Sequence, residues 1–271
     1  MAINDITLAG GMRNNLVNLQ LISALQSRTT ERLATGKRVN TAVDDPASYF
    51  AAASHRSRAG DLAARKDAMG EAIQAVKAAS QGIDAITKLI EQAKGLTAAA
   101  TSASVADRLS LSTQFTELMA QVTSLAGDAG YKGTNFLAAG SLVVNFNEGG
   151  TSSLTITGFA ASSAGLLIAA PIGAWALDAS ITTSAAELDA ALATLRVNGK
   201  TLSSNAGVVT TRQEFTTDLI NTLTTGADQL TAADTNEEGA NMLALQTRQQ
   251  LGVVALQLSN QAQQSILRLF Q

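Results

Sequence analysis

Residues 31–46 read ERLATGKRVNTAVDDP, and this stretch separates two helices. Upstream, Leu8, Met12, Leu16, Leu19, Ile22 and Leu25 recur at spacings of three and four, the mark of one helical face. Gly36 then supplies a C-terminal stop. Lys37 to Val43 carries no such period. At Asp45 a side-chain cap becomes available, and Pro46 suits the first position of a new helix. Downstream, Leu62, Met69, Ile73, Val76, Ile83, Ile86 and Ile90 continue the pattern to about Ala100, which predicts a helix far longer than is usual in globular proteins.

Farther along, Ser104 and Asp107 form a capping pair ahead of Leu111, Phe115, Leu118, Val122 and Leu125, a regular heptad ending near Gly127. Between Gly130 and about Thr183 the texture changes to Gly, Ser and Thr. Alternation at Leu142, Val144 and Phe146, then at Leu154 and Ile156, predicts a hairpin around residues 147–150. Helical signals resume with Ser184 and Glu187 as a capping box, although Gly199 and Gly207 interrupt the middle of that segment. Thr235 with Glu238 caps a last helix whose one face carries Leu251, Val254, Leu258, Ile266 and Leu269. The fold class is therefore mainly α: long coiled-coil-like helices from both termini around a small β-rich central insert. The domains read as 1–36 with 234–271, 37–130 with 184–233, and an outer insert at 131–183. Residues 140–183 read as a surface excursion that assembly does not need.

Ordering the backbone costs about 1–2 kcal/mol per residue, and a fully buried Leu or Ile returns about 1.5–3 kcal/mol. A terminal helix therefore cannot stay folded alone, and the two ends should pair. Beyond Ala240 the only charged residues are Arg248 and Arg268, fewer than an exposed helix carries.

Composition removes most other functions. The chain is 46% hydrophobic but 4% aromatic, which suits helix-on-helix packing. It has no Cys and one His, His55, so thiolate chemistry is excluded and no His-based metal set is available. No cofactor is indicated. Gly36-Lys37 and Gly199-Lys200-Thr201 invite a phosphate-loop reading, but the earlier position that needs glycine holds Glu31 and Thr194 respectively. A net charge of −3 with scattered basic residues gives no nucleic-acid footprint. Neither the amide-rich 249–267 nor the Gly- and Pro-interrupted 159–177 suits a membrane span, and the first eleven residues lack the apolar core of a secretory signal.

The 31–46 stretch resembles the signature of bacterial flagellins, in which a terminal helix ends in Arg-Leu-Ser/Thr-x-Gly, crosses a short spoke with Val-Asn, and enters the next helix after an acidic pair. Here those positions are Arg32, Leu33, Gly36, Val39, Asn40, Asp44, Asp45 and Pro46. Residues 234–242 and 246–270 resemble the flagellin C-terminus, and the likeness is greatest to flagellins of α-proteobacteria. The resemblance covers about 1–136 and 184–271. It implies a non-enzymatic subunit that polymerises with itself into the extracellular flagellar filament, with Leu16, Leu19, Ile22, Leu25, Leu251, Val254, Leu258, Ile266 and Leu269 along the polymerisation seam. It also implies export through the flagellar type III apparatus without a cleaved signal, and partnership with an export chaperone, the filament cap and junction proteins.

A hook–filament junction protein shares these termini and is the nearest alternative; the C-terminal match favours flagellin. A membrane-active helical protein is a more distant one, since the terminal helices lack a Lys/Arg-rich polar face. Flagellins of the enteric type are recognised by a vertebrate immune receptor through an Arg on the long helix and a Glu on the next. In this sequence Gln92 and Gln114 take those positions, while Leu96 is retained.

Overall fold

A computed structural model of the chain describes residues 10–269, with side chains at 263 and 266–269 not included. Leu8 lies outside the described residues, as do the side chains of Ile266 and Leu269. Five helices account for most of the chain: α1 (Gly10–Thr35), α2 (Pro46–Ser102), α3 (Val105–Asp128), α4 (Asp178–Thr231) and α5 (Thr235–Leu269). Strands β1 (Ser141–Asn145) and β2 (Ser153–Thr157) pair antiparallel, with Leu142 opposite Ile156 and Val144 opposite Leu154. The chain divides into a terminal unit, Met1–Ser57 with Leu223–Gln271, and a larger unit, Arg58–Thr222.

In the larger unit, α2 contributes a stripe of small and branched side chains: Ala72, Ala75, Val76, Ala79, Ile86, Ile90 and Ala93 are all buried. The alanines let neighbouring elements approach closely. Gly82 extends this, since a Cβ there would stand 2.6 Å from Leu137 Cδ1. Phe115 and Val122 of α3, and Ile181, Leu188, Leu195 and Leu202 of α4, share the same core. At the start of α3 the Ser104 hydroxyl accepts the Asp107 N–H, as its sequence predicts.

The central segment is not a surface excursion. Phe136, Leu137, Val144, Ile156, Leu166, Ile168 and Trp175 are buried in the core of the larger unit. The physical reason is that the helices leave an apolar face open, and this segment supplies its largest side chain. Trp175 is 0% exposed, lies edge-on to Phe115 with ring centroids 5.1 Å apart, and donates from Nε1 to Ser184 Oγ at 3.1 Å. It is reached through three successive left-handed residues, Gly173, Ala174 and Trp175, with φ of 58°, 51° and 61°. At the two non-glycine positions this conformation costs roughly 1–2 kcal/mol each, which the aromatic burial offsets.

That contact also corrects the predicted start of α4. Ser184 does not cap it, because its hydroxyl accepts the Trp175 indole and its position is already inside the helix. Glu187 accepts the Ala169 N–H instead. The helix begins at Asp178, which is paired with Arg108 at 2.7 Å. Neither Gly199 nor Gly207 breaks it, and α4 runs for 54 residues. Each glycine costs about 1 kcal/mol relative to alanine, too little to interrupt a helix with so long a buried stripe. Thr182, Thr183, Thr194, Thr201, Thr210, Thr211, Thr216, Thr217 and Thr222 each donate their hydroxyl to the carbonyl four residues back along α4.

Trp175→Ala should lower the stability of the larger unit by about 3–5 kcal/mol in denaturant unfolding. Replacing residues 140–183 with a short flexible linker should abolish its cooperative transition, whereas a linker variant that melts like the parent would contradict this packing.

Candidate functional site

The site is built in the terminal unit, where α1, the connecting segment and α5 meet. α1 ends at Gly36, whose φ of 66° is a conformation glycine adopts freely. The chain then pairs with the end of α4: Arg38 and Val39 donate their N–H groups to the Thr231 carbonyl at 2.8 and 3.3 Å, and Ala233 N–H donates to the Gly36 carbonyl at 3.0 Å. Val39 is buried, while Leu33 and Asn40 are half-buried.

The acidic pair closes the segment. Asp44 Oδ2 accepts the Thr41 N–H and hydroxyl at 2.9 and 3.0 Å and the Asn40 N–H at 3.2 Å. Asp45 accepts the Ser48 hydroxyl at 2.7 Å and the Ser48 N–H at 3.2 Å, capping α2 ahead of Pro46. These donors hold both carboxyls below the usual range: chiefly the Thr41 backbone N–H for Asp44, and the Ser48 hydroxyl for Asp45.

Two cross-links in this unit were not legible from local pattern. Arg32 Nη1 meets Glu238 Oε1 at 2.7 Å, and the Glu238 side chain is 8% exposed. Glu238 is therefore not the reciprocal member of a capping box; Asp234 caps α5 instead, accepting the Asn236 and Glu237 N–H groups at 2.8 and 3.2 Å. The Thr235–Glu238 spacing mimics a box because Glu238 must face α1. Arg56 likewise bonds Asp228 at 3.1 Å and the Thr231 hydroxyl at 3.3 Å.

α1 packs on α5. Gly252 gives the closest approach, since a Cβ there would lie 2.7 Å from Leu19 Cδ2. The proposed seam residues divide between two environments. Leu19 and Ile22 are half-buried, whereas Leu16, Leu25, Leu251, Val254 and Leu258 are exposed. Val17, Leu21, Leu243 and Val253 are exposed too, so apolar side chains surround these helices more fully than a single seam requires. The signal for this was the scarcity of charge along α5 beyond Ala240.

In the larger unit, Gln92, Leu96 and Gln114 come together around a depression of about 570 Å³ that also includes Glu117, Leu118 and Gln121. Among the described residues no helix is long and apolar enough to cross a membrane.

Apolar side chains displayed along paired terminal helices define an association surface, and the chain is of the class of helical proteins that assemble. The family models for the bacterial flagellin N-terminal and C-terminal helical regions match residues 3–141 and 186–270, and the chain belongs to the bacterial flagellins. It is a structural subunit of the flagellar filament. It is 31% identical to flagellin FljM of Caulobacter vibrioides over 100% of both chains. It is 28% identical to a flagellin of Brucella melitensis, covering 96% of this chain and 99% of that one. With flagellin C of Rhizobium meliloti it shares 27% identity over 94% and 96% of the two chains. All three sources are α-proteobacteria.

The lowered carboxyls set a pH dependence. A carboxyl whose pKa is lower in the folded state contributes stability that is complete above its unfolded value, about 3.9 for Asp, and is lost as pH falls through the folded value. Asp44→Ala should therefore destabilise the terminal unit at neutral pH, and the difference from the parent should vanish toward pH 2. A constant difference from neutral to strongly acid pH, measured by thermal unfolding, would contradict that role.

Proposed function

We propose that the exposed apolar rows of α1 and α5 form the seam along which copies polymerise, with the terminal stretches 1–36 and 234–271 lining the inner tube of the filament. The observation that carries this is the exposure of Leu251, Val254 and Leu258, at 63%, 58% and 67%, on the part of α5 beyond Ala240, where Arg248 and Arg268 are the only charged residues. Each such side chain gains about 1.5–3 kcal/mol on full burial, so a copy laid against this face removes a standing penalty. Residues 37–130 and 184–233 form the shell around the tube. The central segment, supported by its buried Trp175, belongs to that shell and not to an outward insert.

Family membership supports the remaining parts of the reading. The subunit leaves the cell through the flagellar type III apparatus, accompanied by an export chaperone, and is inserted beneath the filament cap onto the junction proteins. Its role is mechanical and not enzymatic.

Leu258→Asp should block filament growth from seeds, because polymerisation would bury an unpaired carboxylate. Since Leu258 is already exposed in the single chain, the melting of the monomer should barely change. Normal filaments from this variant would refute the seam.

The depression holding Gln92, Leu96 and Gln114 supports a further consequence. Where flagellins of the enteric type present an Arg and a Glu to a vertebrate immune receptor, this chain presents two neutral amides. Losing charged anchors of this kind costs about 2 kcal/mol or more apiece. A receptor reporter assay on depolymerised protein should show potency weaker by orders of magnitude than an enteric flagellin, and Gln92→Arg with Gln114→Glu should recover part of it. Full potency in the unmodified chain would overturn the idea.

A further inference from the structure

The Gly199-Lys200-Thr201 motif has no phosphate-binding context, yet its surroundings are not featureless. On the larger unit, α2 and α4 enclose a recess of about 520 Å³ at Gly199. Its floor is the buried Ile83 and Leu195. A Cβ at Gly199 would meet Ile83 Cδ1 at 3.7 Å, ordinary van der Waals contact, so the glycine deepens the recess by about a methyl group over an apolar floor. Arg196 and Lys200 stand exposed on the α4 wall, with Asp84 on the α2 wall.

The same helix carries the complementary shape. Phe215 is 58% exposed, the one aromatic among the exposed large hydrophobics of the described residues in this unit. Glu214 and Asp218 flank it, both exposed, as does Arg212 three residues before it, whose guanidinium lies over the Phe146 ring. None of the charged groups at either place has an ion-pair partner among the described residues. At about 1.5 Å and 100° per residue, Phe215 stands ~24 Å along α4 from Gly199 and ~160° around it.

We propose that Phe215 of one subunit seats in the Gly199 recess of a second copy, with Glu214 and Asp218 meeting Arg196 and Lys200. The charges are complementary in balance: around the knob two carboxylates outnumber Arg212, and around the rim two cations outnumber Asp84. The two patches are different surfaces of one chain on nearly opposite sides of α4, so the contact is heterologous and need not close. A contact of that type propagates into an open helical array. The proposal rests on the filament reading and adds to the α1–α5 seam a lateral contact between the larger units.

The chain has no Cys, which makes the test direct. Filaments grown from Lys200→Cys/Asp218→Cys subunits and treated with a short bis-maleimide should give a ladder of covalent multimers. Each single-Cys variant alone should give monomers, and filaments of the two mixed should give dimers and nothing larger. Gly199→Leu should fill the recess and raise the critical concentration for growth about tenfold or more, while the monomer, relieved of a mid-helix glycine, should melt no lower than the parent. If the multi-site variant Arg196→Glu/Lys200→Glu blocks growth, adding Glu214→Lys/Asp218→Lys should restore it. Filaments that form without the ladder, or single-Cys variants that cross-link to themselves, would overturn the knob-and-recess contact while leaving the filament reading intact. Failure of the unmodified chain to extend seeds would instead overturn the filament reading.

Discussion

The alanine-rich face of α2 sets the spacing of the larger unit. With Ala72, Ala75, Ala79 and Ala93 at 4% exposure or less, the helix offers little side-chain bulk of its own. Its partners must come close enough for Ile86 and Ile90 to reach them. α3 and α4 satisfy only part of that face. The remainder is filled by Phe136, Leu137 and the hairpin residues Val144 and Ile156, so a stretch of loop-like composition becomes core. The hairpin is held at its turn as well: Arg58 bonds Glu148 at 2.6 Å, and the Arg212 guanidinium lies 5.2 Å from the centroid of Phe146. A two-stranded sheet this short is marginal alone and depends on such supports.

The terminal unit follows a different logic. There the long helices have few buried residues, and polar ties fix the geometry: Thr231 receives two backbone N–H groups from the connecting segment, and Arg32 holds Glu238. Apolar residues on α1 and α5 mostly face outward. A unit with directional bonds inside and apolar rows outside reverses the usual globular arrangement, which fits a piece that is completed by other copies.

The long helices were legible because their apolar period is strong and their boundaries carry local chemistry. Gly36, Asp45 with Pro46, and Ser104 with Asp107 all act where their sequence places them. Local chemistry misled at Ser184 and Thr235 for one shared reason. In each case a side chain with capping potential was claimed by a residue outside its own box, Ser184 by Trp175 and Glu238 by Arg32. The central segment was misread because Gly, Ser and Thr content describes backbone freedom and not burial. Gly140 and Gly165 serve close approach to other backbone, Asn135 and Ala160, which is a packing role. At the site, the connecting segment and the apolar row were visible in the sequence. The Arg32–Glu238 and Arg56–Asp228 ties were not, since each joins residues far apart in the chain.

The threonines of α4 carry a last consequence. A hydroxyl already bonded to the carbonyl four residues back has its proton committed within its own helix. When that surface is dehydrated, no donor has to be stripped of water and found a new acceptor. Only the oxygen's lone pairs still face water, so a helix whose composition looks polar presents less to desolvate than its hydroxyl count implies. It stays compatible with water in the free chain, yet it opposes contact with only a small desolvation cost.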